Sequence, residues 1–423
     1  MLASILTFLR WLFPVVVLRF ATYLRNLLAR PLRPVAFTVG DAAAQIALRD
    51  LDNCIEKRVL PGGKTRHVVC AGYRNFREPW ARDFGFAAFG LLGLERQEVV
   101  KEGLETFLEF QRPDGQLPLK LHSTHVLDRY MHQLFGRVQP TDQPLRPKWE
   151  TAHRTLSCDG SLLLLIVWAE YLEKSEDWDF GRQTLDQWRR ALQFIERSLD
   201  DGLIRQAPFS DWADSIARSG KISYTNVLYW KAVESLERIE TRLDQPPAEL
   251  RAPAIAARVV EQFWDEERGA LVTSRDLRFV SSDANLLAVA WGLTDETLSG
   301  RILDRLDSLS HPVPTRVTAR RYPLHLVGIE MRLAGIPNYH MDCAWLWLGG
   351  WHVVALARAG RVEQARQLLA KIDQVIEKDG VVYEVHDPQG TPLQTLFYAA
   401  EAPLSWNAAM VLYAHCVMGG FDE

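Results

Sequence analysis

The 423-residue sequence lacks the features that define several common classes of protein. It carries 49 basic and 53 acidic residues, a formal net charge of −4, and no basic stripe stands out in its globular part. The electrostatic pattern of a nucleic-acid-binding protein is missing, so no nucleic-acid partner is expected. The five cysteines are scattered, without the Cys-x-x-Cys or Cys/His spacing of a zinc site. We expect free thiols, a reducing compartment, and neither a metal nor any other cofactor.

Long apolar runs are missing as well, even from residues 1–40. Uncharged runs between the arginines there reach nine residues at most, whereas a helix needs about 20 apolar residues to span a bilayer. Acidic residues are absent from this stretch, and its helical pattern separates a polar face from an apolar one. This composition favours a helix over residues 1–38 that contacts a membrane surface through residues 1–35. We expect a cytoplasmic protein, peripheral at the inner membrane face. A first helix packed on the domain and a cleaved transit peptide are the alternatives.

Few residues alternate with a period of two, and no linker rich in Gly, Ser or Pro divides the chain, which argues against a β fold and against several domains. Some apolar-periodic segments, such as 84–94 and 344–357, have few charges, whereas others, such as 96–111 and 361–378, are amphipathic. Their alternation predicts two concentric layers of helices. The sequence therefore predicts an all-α (α/α)6 toroid of six helical hairpins over residues 39–423, with short loops and few small strands. The predicted helices lie near residues 41–57, 83–94, 97–111, 154–174, 180–200, 223–241, 248–265, 283–293, 296–308, 341–359, 362–378 and 403–418.

A weak internal repeat orders the loops of this toroid. Asp114-Gly115, Asp201-Gly202 and Asp379-Gly380 each closely follow an amphipathic segment, and glycine after the last turn is a common helix stop. Asp214 follows the second of these turns and Glu384 follows the third, and each precedes an apolar helix. All loops from an outer helix to the next inner helix emerge on the same face of a toroid. The two carboxylates are therefore expected to converge over one cavity.

Two acidic segments beside aromatic residues suggest the chemistry of that cavity. Asp211-Trp212-Ala213-Asp214 places two carboxylates around a tryptophan, and Glu384 follows Tyr383 in an equivalent setting. Hydrolysis of a glycosidic bond needs one acid to protonate the leaving oxygen and one base to activate water. Some of the 14 tryptophans are expected to line a polar cleft, because indole combines a large apolar face with an N–H donor. These residues predict a glycoside hydrolase that binds a saccharide or glycoside.

Five short groups of residues carry a resemblance to a known family, in the correct order from about residue 71 to residue 414. The chain resembles the six-hairpin (α/α)-barrel glycoside hydrolases, and is most similar to the amylo-α-1,6-glucosidase (glycogen-debranching) catalytic domain and related inverting α-glucosidases. The matching groups are Ala71-Gly72-Tyr73 with Trp80-Ala81-Arg82-Asp83-Phe84-Gly85; Leu156-Ser157-Cys158-Asp159; Asp211-Trp212-Ala213-Asp214-Ser215 with Tyr224-Thr225-Asn226-Val227-Leu228-Tyr229-Trp230; Asn338-Tyr339-His340 with Trp345-Leu346-Trp347; and Tyr383-Glu384 with Ser405-Trp406.

The resemblance implies an inverting, exo-acting hydrolase of α-glucosidase type, with Asp214 as general acid and Glu384 as general base. Its substrate would be an α-glucoside or a related small glycan, and the N-terminal segment adds the hypothesis of a lipid-linked one. Arg82 and Asp83 are expected to act together on sugar hydroxyls at the first subsite. The full set of expected substrate-binding residues is Tyr73, Trp80, Arg82, Asp83, Asp211, Trp212, Tyr224, Asn226, Trp230, His340, Trp345 and Trp406.

Several alternatives remain open at these positions. Asp211 is the second candidate for the acid, and Glu401 is the second candidate for the base, as a residue just before the Ser405-Trp406 helix. Asp214 could instead cap a helix, which is a common role of aspartate. A sugar isomerase or epimerase on a similar barrel would depend on His340 or His325 as a base. A membrane-associated glycan-binding protein without turnover is the third interpretation.

Overall fold

In the part of the chain that the structure describes, twelve helices of nine or more residues alternate between an outer and an inner layer. The computed structural model describes residues 42–74, 76–124, 141, 143–396 and 398–420. The outer helices are α1 (Ala42–Cys54), α3 (Gln97–Glu109), α5 (Trp178–Glu196), α7 (Ala252–Phe263), α9 (Glu296–Leu306) and α11 (Val362–Asp379). The inner helices are α2 (Ala81–Gly93), α4 (Asp159–Ser175), α6 (Ser223–Arg242), α8 (Ser282–Ala290), α10 (Leu346–Arg358) and α12 (Ser405–Gly419).

The six inner helices form a closed ring. Each contacts the next in chain order, and α12 returns to pack against α2. Two glycines allow the closest approaches in this ring. A Cβ at Gly90 of α2 would lie 2.1 Å from the carbonyl oxygen of Ala409, and a Cβ at Gly350 of α10 would lie 2.5 Å from that of Met410. Because both contacts are with the backbone of α12, a side chain at either glycine would force the helices apart.

The outer helices bury one stripe and expose the opposite one, as their amphipathic sequences predict. In α5, for example, Trp188 is fully buried and packs against Trp168 of α4 with ring centroids 5.8 Å apart. Asp177 caps this helix by accepting a hydrogen bond from the backbone N–H of Phe180 at 3.2 Å. The inner helices are buried nearly all round, so the two layers share one continuous core.

Strands are few and short in the part of the chain that the structure describes. Antiparallel pairs join Ile55–Val59 to Thr65–Val69, Lys120–His122 to Arg146–Lys148, Trp264–Asp265 to Ala270–Leu271, and Gln394–Thr395 to Tyr398–Ala399. Leu199–Asp200, Leu203–Gln206 and Gly220–Lys221 form a three-stranded sheet, and 3-10 turns at Asp307–Leu309 and Leu324–Leu326 and a short helix at Ile329–Leu333 complete the elements.

The predicted all-α (α/α)6 toroid is confirmed. The helix and membrane contact predicted for residues 1–38 lie outside the described residues. Among the helices that the structure does describe, none combines the length and the apolar character that crossing a membrane would require.

Buried asparagines attach the loops at one end of the toroid to the inner helices. Asn226 of α6 accepts a hydrogen bond from the N–H of Ile204 at 2.7 Å and donates to the carbonyl oxygen of the same residue at 3.0 Å. Asn285 of α8 makes the same pair of bonds to Leu271, at 2.9 and 2.8 Å. Asn407 of α12 donates to the carbonyl oxygen of Glu384 at 2.8 Å. The loops that precede three inner helices are therefore held in place by the helices that follow them.

Candidate active site

A pocket of about 220 Å³ lies at the end of the toroid where the inner helices begin. Side chains reach it from the first turns of inner helices and from the loops that precede them. Nine of the residues expected at the site line it: Trp80, Arg82, Asp83, Trp212, Asp214, His340, Trp345, Glu384 and Trp406. Ala71, Phe76, Met331, Tyr339 and Leu404 complete the lining. The structure thus brings together residues that lie up to 335 positions apart, from Ala71 to Trp406.

Tryptophans and a histidine form the apolar wall of the pocket. The ring of Trp212 packs edge-on against Trp345 at 5.6 Å and against His340 at 4.9 Å between centroids. Trp347 lies beneath them, 4.9 Å from Trp212 and 5.0 Å from Trp406, and is fully buried. This second layer of indole closes the floor, so the cavity is a pocket and not a channel through the ring.

Asp214 lies in the loop before α6 and faces the pocket. The Asp214 side chain is 36% exposed because it faces the cavity, and the pocket walls surround it on its other sides. Arg82 Nη1 approaches its Oδ2 to 3.6 Å. Burial raises the pKa of the Asp214 carboxyl to about 6, although the Arg82 guanidinium opposes that shift. A substantial fraction of Asp214 therefore carries a proton in mildly acidic solution.

Glu384 lies in the loop before α12 and is held by three donors. The phenol groups of Tyr339 and Tyr398 donate to its two oxygens, and the backbone N–H of Glu401 donates to Oε2 at 2.9 Å. Burial raises the pKa of Glu384 above its ordinary value, although these bonds favour the charged form. The result is an oriented carboxylate whose basicity is increased.

Arg82 and Asp83 begin α2 and have different partners. Arg82 Nε donates to Asp159 Oδ2 at 2.7 Å, and Asp159 is fully buried in the first turn of α4. Burial, together with the negative charges of Glu384 and Asp214, raises the pKa of Asp83 to about 7, although the positive charge of Arg82 opposes the shift. Asp83 is therefore a third carboxyl in the same electrostatic environment. It can donate as well as accept hydrogen bonds near neutral pH.

Six expected site residues lie outside the pocket lining. Tyr73 and Tyr224 are buried, and the centroid of the Tyr224 ring lies 6.5 Å from that of Trp212. Asn226 uses its amide on the backbone of the preceding strand. Trp230 lies seven residues into α6, about 10 Å from its start at the usual rise per residue. The remaining two are Asp211, described below, and Glu401, which is fully buried and accepts a hydrogen bond from the backbone N–H of Arg74 at 2.5 Å.

A buried charge network supports the wall of the pocket. Arg218 Nε donates to Asp211 Oδ2 at 2.8 Å, and its Nη2 donates to Asp283 Oδ2 at 3.0 Å, with all three side chains at most 1% exposed. Trp212 Nε1 donates to the same oxygen of Asp283 at 2.6 Å. Gln206 Nε2 donates to Asp211 at 2.7 Å. The network joins three segments and fixes Trp212, and hence the loop that carries the next carboxylate.

Replacing Arg218 with alanine is expected to lower the free energy of unfolding by about 3–5 kcal/mol, because Asp211 and Asp283 would be left buried without a countercharge. Urea unfolding followed by tryptophan fluorescence measures the change. Arg321→Ala is the matched control, since Arg321 forms a 2.7 Å ion pair with Asp342 at the surface and is 59% exposed. That variant should lose less than about 1 kcal/mol. Similar losses in both variants would contradict a structural role for the buried network.

Several contributing residues escaped sequence reasoning. Tyr339 lies inside a segment that carried the family resemblance, and its position before His340 was the available signal. Tyr398, Phe76 and Met331 belong to no motif and reach the site only through folding. Asp283 stands in the first turn of an inner helix, a position it shares with Asp159. Their shared position could therefore have identified Asp283 from the sequence.

The comparisons with known proteins rest on structure. No family model matches the sequence, and the search of curated proteins finds no match. Among solved structures, a rhamnosidase from Klebsiella oxytoca with rhamnose bound has a TM-score of 0.62 at 16% identity, over 90% of this chain and 64% of the rhamnosidase. The GH63 mannosylglycerate hydrolase from Thermus thermophilus in complex with Tris has a TM-score of 0.62 at 12% identity, over 88% of this chain and 99% of that one. A glycosidase in complex with glucose has a TM-score of 0.59 at 16% identity, over 90% and 96%.

These similarities define the class of fold. The chain has the fold of the six-hairpin (α/α)-barrel glycosidases, and the predicted resemblance is confirmed at that level. Because the match covers nearly the whole length of the hydrolase and of the glycosidase, the shared fold is the toroid itself and not a fragment of it.

Proposed function

We propose that this protein is an inverting, exo-acting glycoside hydrolase in which Asp214 is the general acid and Glu384 the general base. One observation carries the proposal: both carboxyls line a single pocket with a closed floor and tryptophan walls. Indole faces stack on sugar rings, and two carboxyls are what hydrolysis of the glycosidic bond requires. The fold shared with known glycosidases supports the same conclusion.

In the proposed reaction, protonated Asp214 donates its proton to the glycosidic oxygen as the bond from that oxygen to the anomeric carbon breaks. A water molecule attacks the anomeric carbon from the opposite face, and the Glu384 carboxylate takes the proton that this water loses. The products are the free sugar with inverted configuration and the protonated leaving group. The enzyme ends with Asp214 ionised and Glu384 protonated, and one proton exchange with solvent restores both.

The surroundings of each carboxyl support this choice over the alternatives. Asp214 lines the pocket and has its pKa raised to about 6, whereas Asp211 is fully buried in an ion pair with Arg218. Glu384 also lines the pocket, whereas Glu401 is buried behind it and contacts the backbone near Gly72. The two rivals therefore have structural roles in this proposal.

The closed floor favours attack on the end of a glycan, which is why we propose exo action. Of the three solved structures, the rhamnosidase holds rhamnose, the glycosidase holds glucose, and the third is described as a mannosylglycerate hydrolase. Glucosides, mannosides and rhamnosides of both anomeric forms are therefore the panel to test, with α-glucosides first from the family resemblance.

Hydrolysis of the reactive glycoside followed by proton NMR should show the inverted anomer before mutarotation. A retained anomer would refute the inverting mechanism, and saccharide binding without any hydrolysis would favour a glycan-binding protein.

The same carboxyls predict an acidic pH optimum. Asp214 must be protonated, so kcat/KM should fall as pH rises through about 6, the raised pKa of this carboxyl. Glu384 must be ionised, so activity should also fall as pH drops through its own raised pKa. The result is a bell-shaped profile with its alkaline limb near pH 6, measurable from initial rates across pH. Asp214→Asn should remove the alkaline limb; an unchanged limb in that variant would assign it to another group.

An isomerase or epimerase is the second candidate because a histidine also lines the pocket. Burial lowers the pKa of His340 well below its ordinary value, so the imidazole is neutral and could act as a base. Its Nδ1 lies 2.7 Å from Ser215 Oγ, and its ring stacks on Trp345 at 5.3 Å. His325, the other histidine considered, is exposed in the Leu324–Leu326 turn and does not line the pocket. Interconversion of free sugars that is lost in His340→Gln would favour this interpretation.

A further inference from the structure

Exposed apolar side chains concentrate beside the mouth of the pocket. Six large apolar residues are exposed in the described part of the chain, and four of them lie in two neighbouring segments at this end of the toroid. We call these four the apolar rim: Leu324 (61% exposed), Ile329 (63%), Leu333 (51%) and Leu396 (65%). Scattered single apolar residues are ordinary on a protein surface, whereas a cluster indicates a contact surface.

The segment that carries three rim residues is firmly anchored. Tyr322 and Val327 are buried in a small second core with Ile216 and Met341. The backbone N–H of Gly328 donates to the carbonyl oxygen of Ser215 at 2.8 Å. Because the segment is tied to the loop that carries the pocket residues, the exposure of its apolar side chains is a fixed property of the fold.

The short helix Ile329–Leu333 divides its side chains between the pocket and the outside. Met331 lines the pocket, whereas Ile329 and Leu333 are four residues apart on the opposite side of the helix, where they are exposed. Leu396 is adjacent, because the Thr395 hydroxyl donates to the carbonyl oxygen of Ala334 at 2.8 Å. The rim therefore borders the pocket and points away from it, so it is not a wall of the cavity.

Basic residues flank the rim. Residues 316–335 contain four arginines and one glutamate, and one of the four, Arg321, is paired with Asp342 at 2.7 Å. Arg320 and Arg332 are exposed within this segment. Residues 1–40 show the same combination, five arginines and no acidic residue among apolar ones. Apolar side chains next to basic ones are the chemistry of binding to an anionic membrane interface.

We propose that the apolar rim docks on an anionic lipid surface, so that the mouth of the pocket opens at the level of the lipid headgroups. Leucine and isoleucine side chains enter the interface, and the arginines contact lipid phosphates. If the proposed hydrolase activity holds, the natural substrate is a glycoside whose aglycone is anchored in the membrane. The docking itself does not depend on that activity.

Flotation of the full-length chain with vesicles of phosphatidylcholine and phosphatidylglycerol tests the proposal. The triple variant Leu324→Ser, Ile329→Ser, Leu333→Ser should partition about tenfold more weakly, because apolar surface that the lipid would cover is lost. Leu250→Ser is the matched control, since Leu250 is equally exposed (61%) in the loop before α7, at the other end of the toroid. It should bind as the parent does. All chains keep residues 1–41, so their differences report the rim alone.

Arg332→Glu should also weaken flotation with the anionic vesicles, and raised salt should weaken it in the parent.

Hydrolysis of a water-soluble aryl glycoside should be the same in the triple variant and the parent, because the rim does not line the pocket. Vesicle binding without any hydrolysis would support the docking surface and refute only the proposed hydrolase activity. Equal flotation of parent and triple variant, or none by the parent, overturns the proposal. A parent dimer that becomes monomeric in the triple variant would overturn it too, in favour of an interface between copies.

Discussion

Replacing Asp214 with asparagine is expected to lower kcat by about 10²- to 10⁴-fold on glycosides with an alcohol leaving group. The amide cannot supply the proton that such a leaving group needs as the bond breaks. A strongly acidic phenol can leave as its anion without being protonated, so the loss of kcat on glycosides of such phenols should be much smaller. Initial rates on a series of aryl and alkyl glycosides measure this difference, and the NMR assay confirms that the stereochemistry is unchanged.

Asp211→Asn is the matched control, a conservative change three residues earlier in the same loop. It weakens the ion pair with Arg218 and should lower stability, because the arginine loses a buried countercharge. Its dependence on the leaving group should remain that of the parent. If Asp211→Asn, and not Asp214→Asn, shows the leaving-group dependence, the acid has been assigned to the wrong residue.

Replacing Glu384 with glutamine is expected to lower kcat by about 10²- to 10⁴-fold whatever the leaving group, because the attacking water must lose its proton in every case. Thermal unfolding should show a folded protein, since the amide keeps the volume of the carboxylate and an oxygen that can accept from Tyr339 or Tyr398. Single-turnover rates across the same series of glycosides measure the loss. The contrast with Asp214→Asn separates the base from the acid.

Glu401→Gln provides the comparison for that experiment. Its carboxylate is fully buried and bonds the backbone near Arg74, so its replacement should change stability more than the rate per folded molecule. A Glu384→Gln variant with nearly full activity, together with an inactive but folded Glu401→Gln, would exchange the two roles. Full activity in both Glu384→Gln and Asp214→Asn would refute the proposed catalytic roles of both residues.

The helical architecture could be predicted because it depends on patterns within single segments. Charge-poor segments such as 344–357 became inner helices, and amphipathic ones such as 361–378 became outer helices. The Asp-Gly turns also have the expected geometry, with positive φ at Gly115, Gly202 and Gly380. Period, charge and turn residues are local properties, and a toroid built from repeated hairpins leaves few other ways to bury the apolar faces.

Only some of the site residues could be predicted from the sequence, and the reason is physical. Residues in the first turns of inner helices, such as Asp83 and Trp406, can be placed once the helix starts are known. Asn226 has the same kind of position, yet its amide bonds a neighbouring strand. A helix-start residue can face the pocket or the preceding loop, and the direction of its side chain depends on the packing around it.

Three features of this protein follow from its amino-acid order alone: the alternation of two helix types, the succession of hairpins, and the end of the toroid at which the acidic loops emerge. They depend on periodicity and chain direction, which need no knowledge of distant contacts. The folded chain was needed to establish which carboxyls reach the pocket, which are paired beneath it with Arg218, and how Tyr398 comes to hold Glu384. Those outcomes depend on burial and on partners far apart in the chain, because the pKa and the orientation of a carboxyl are set by the atoms around it in space.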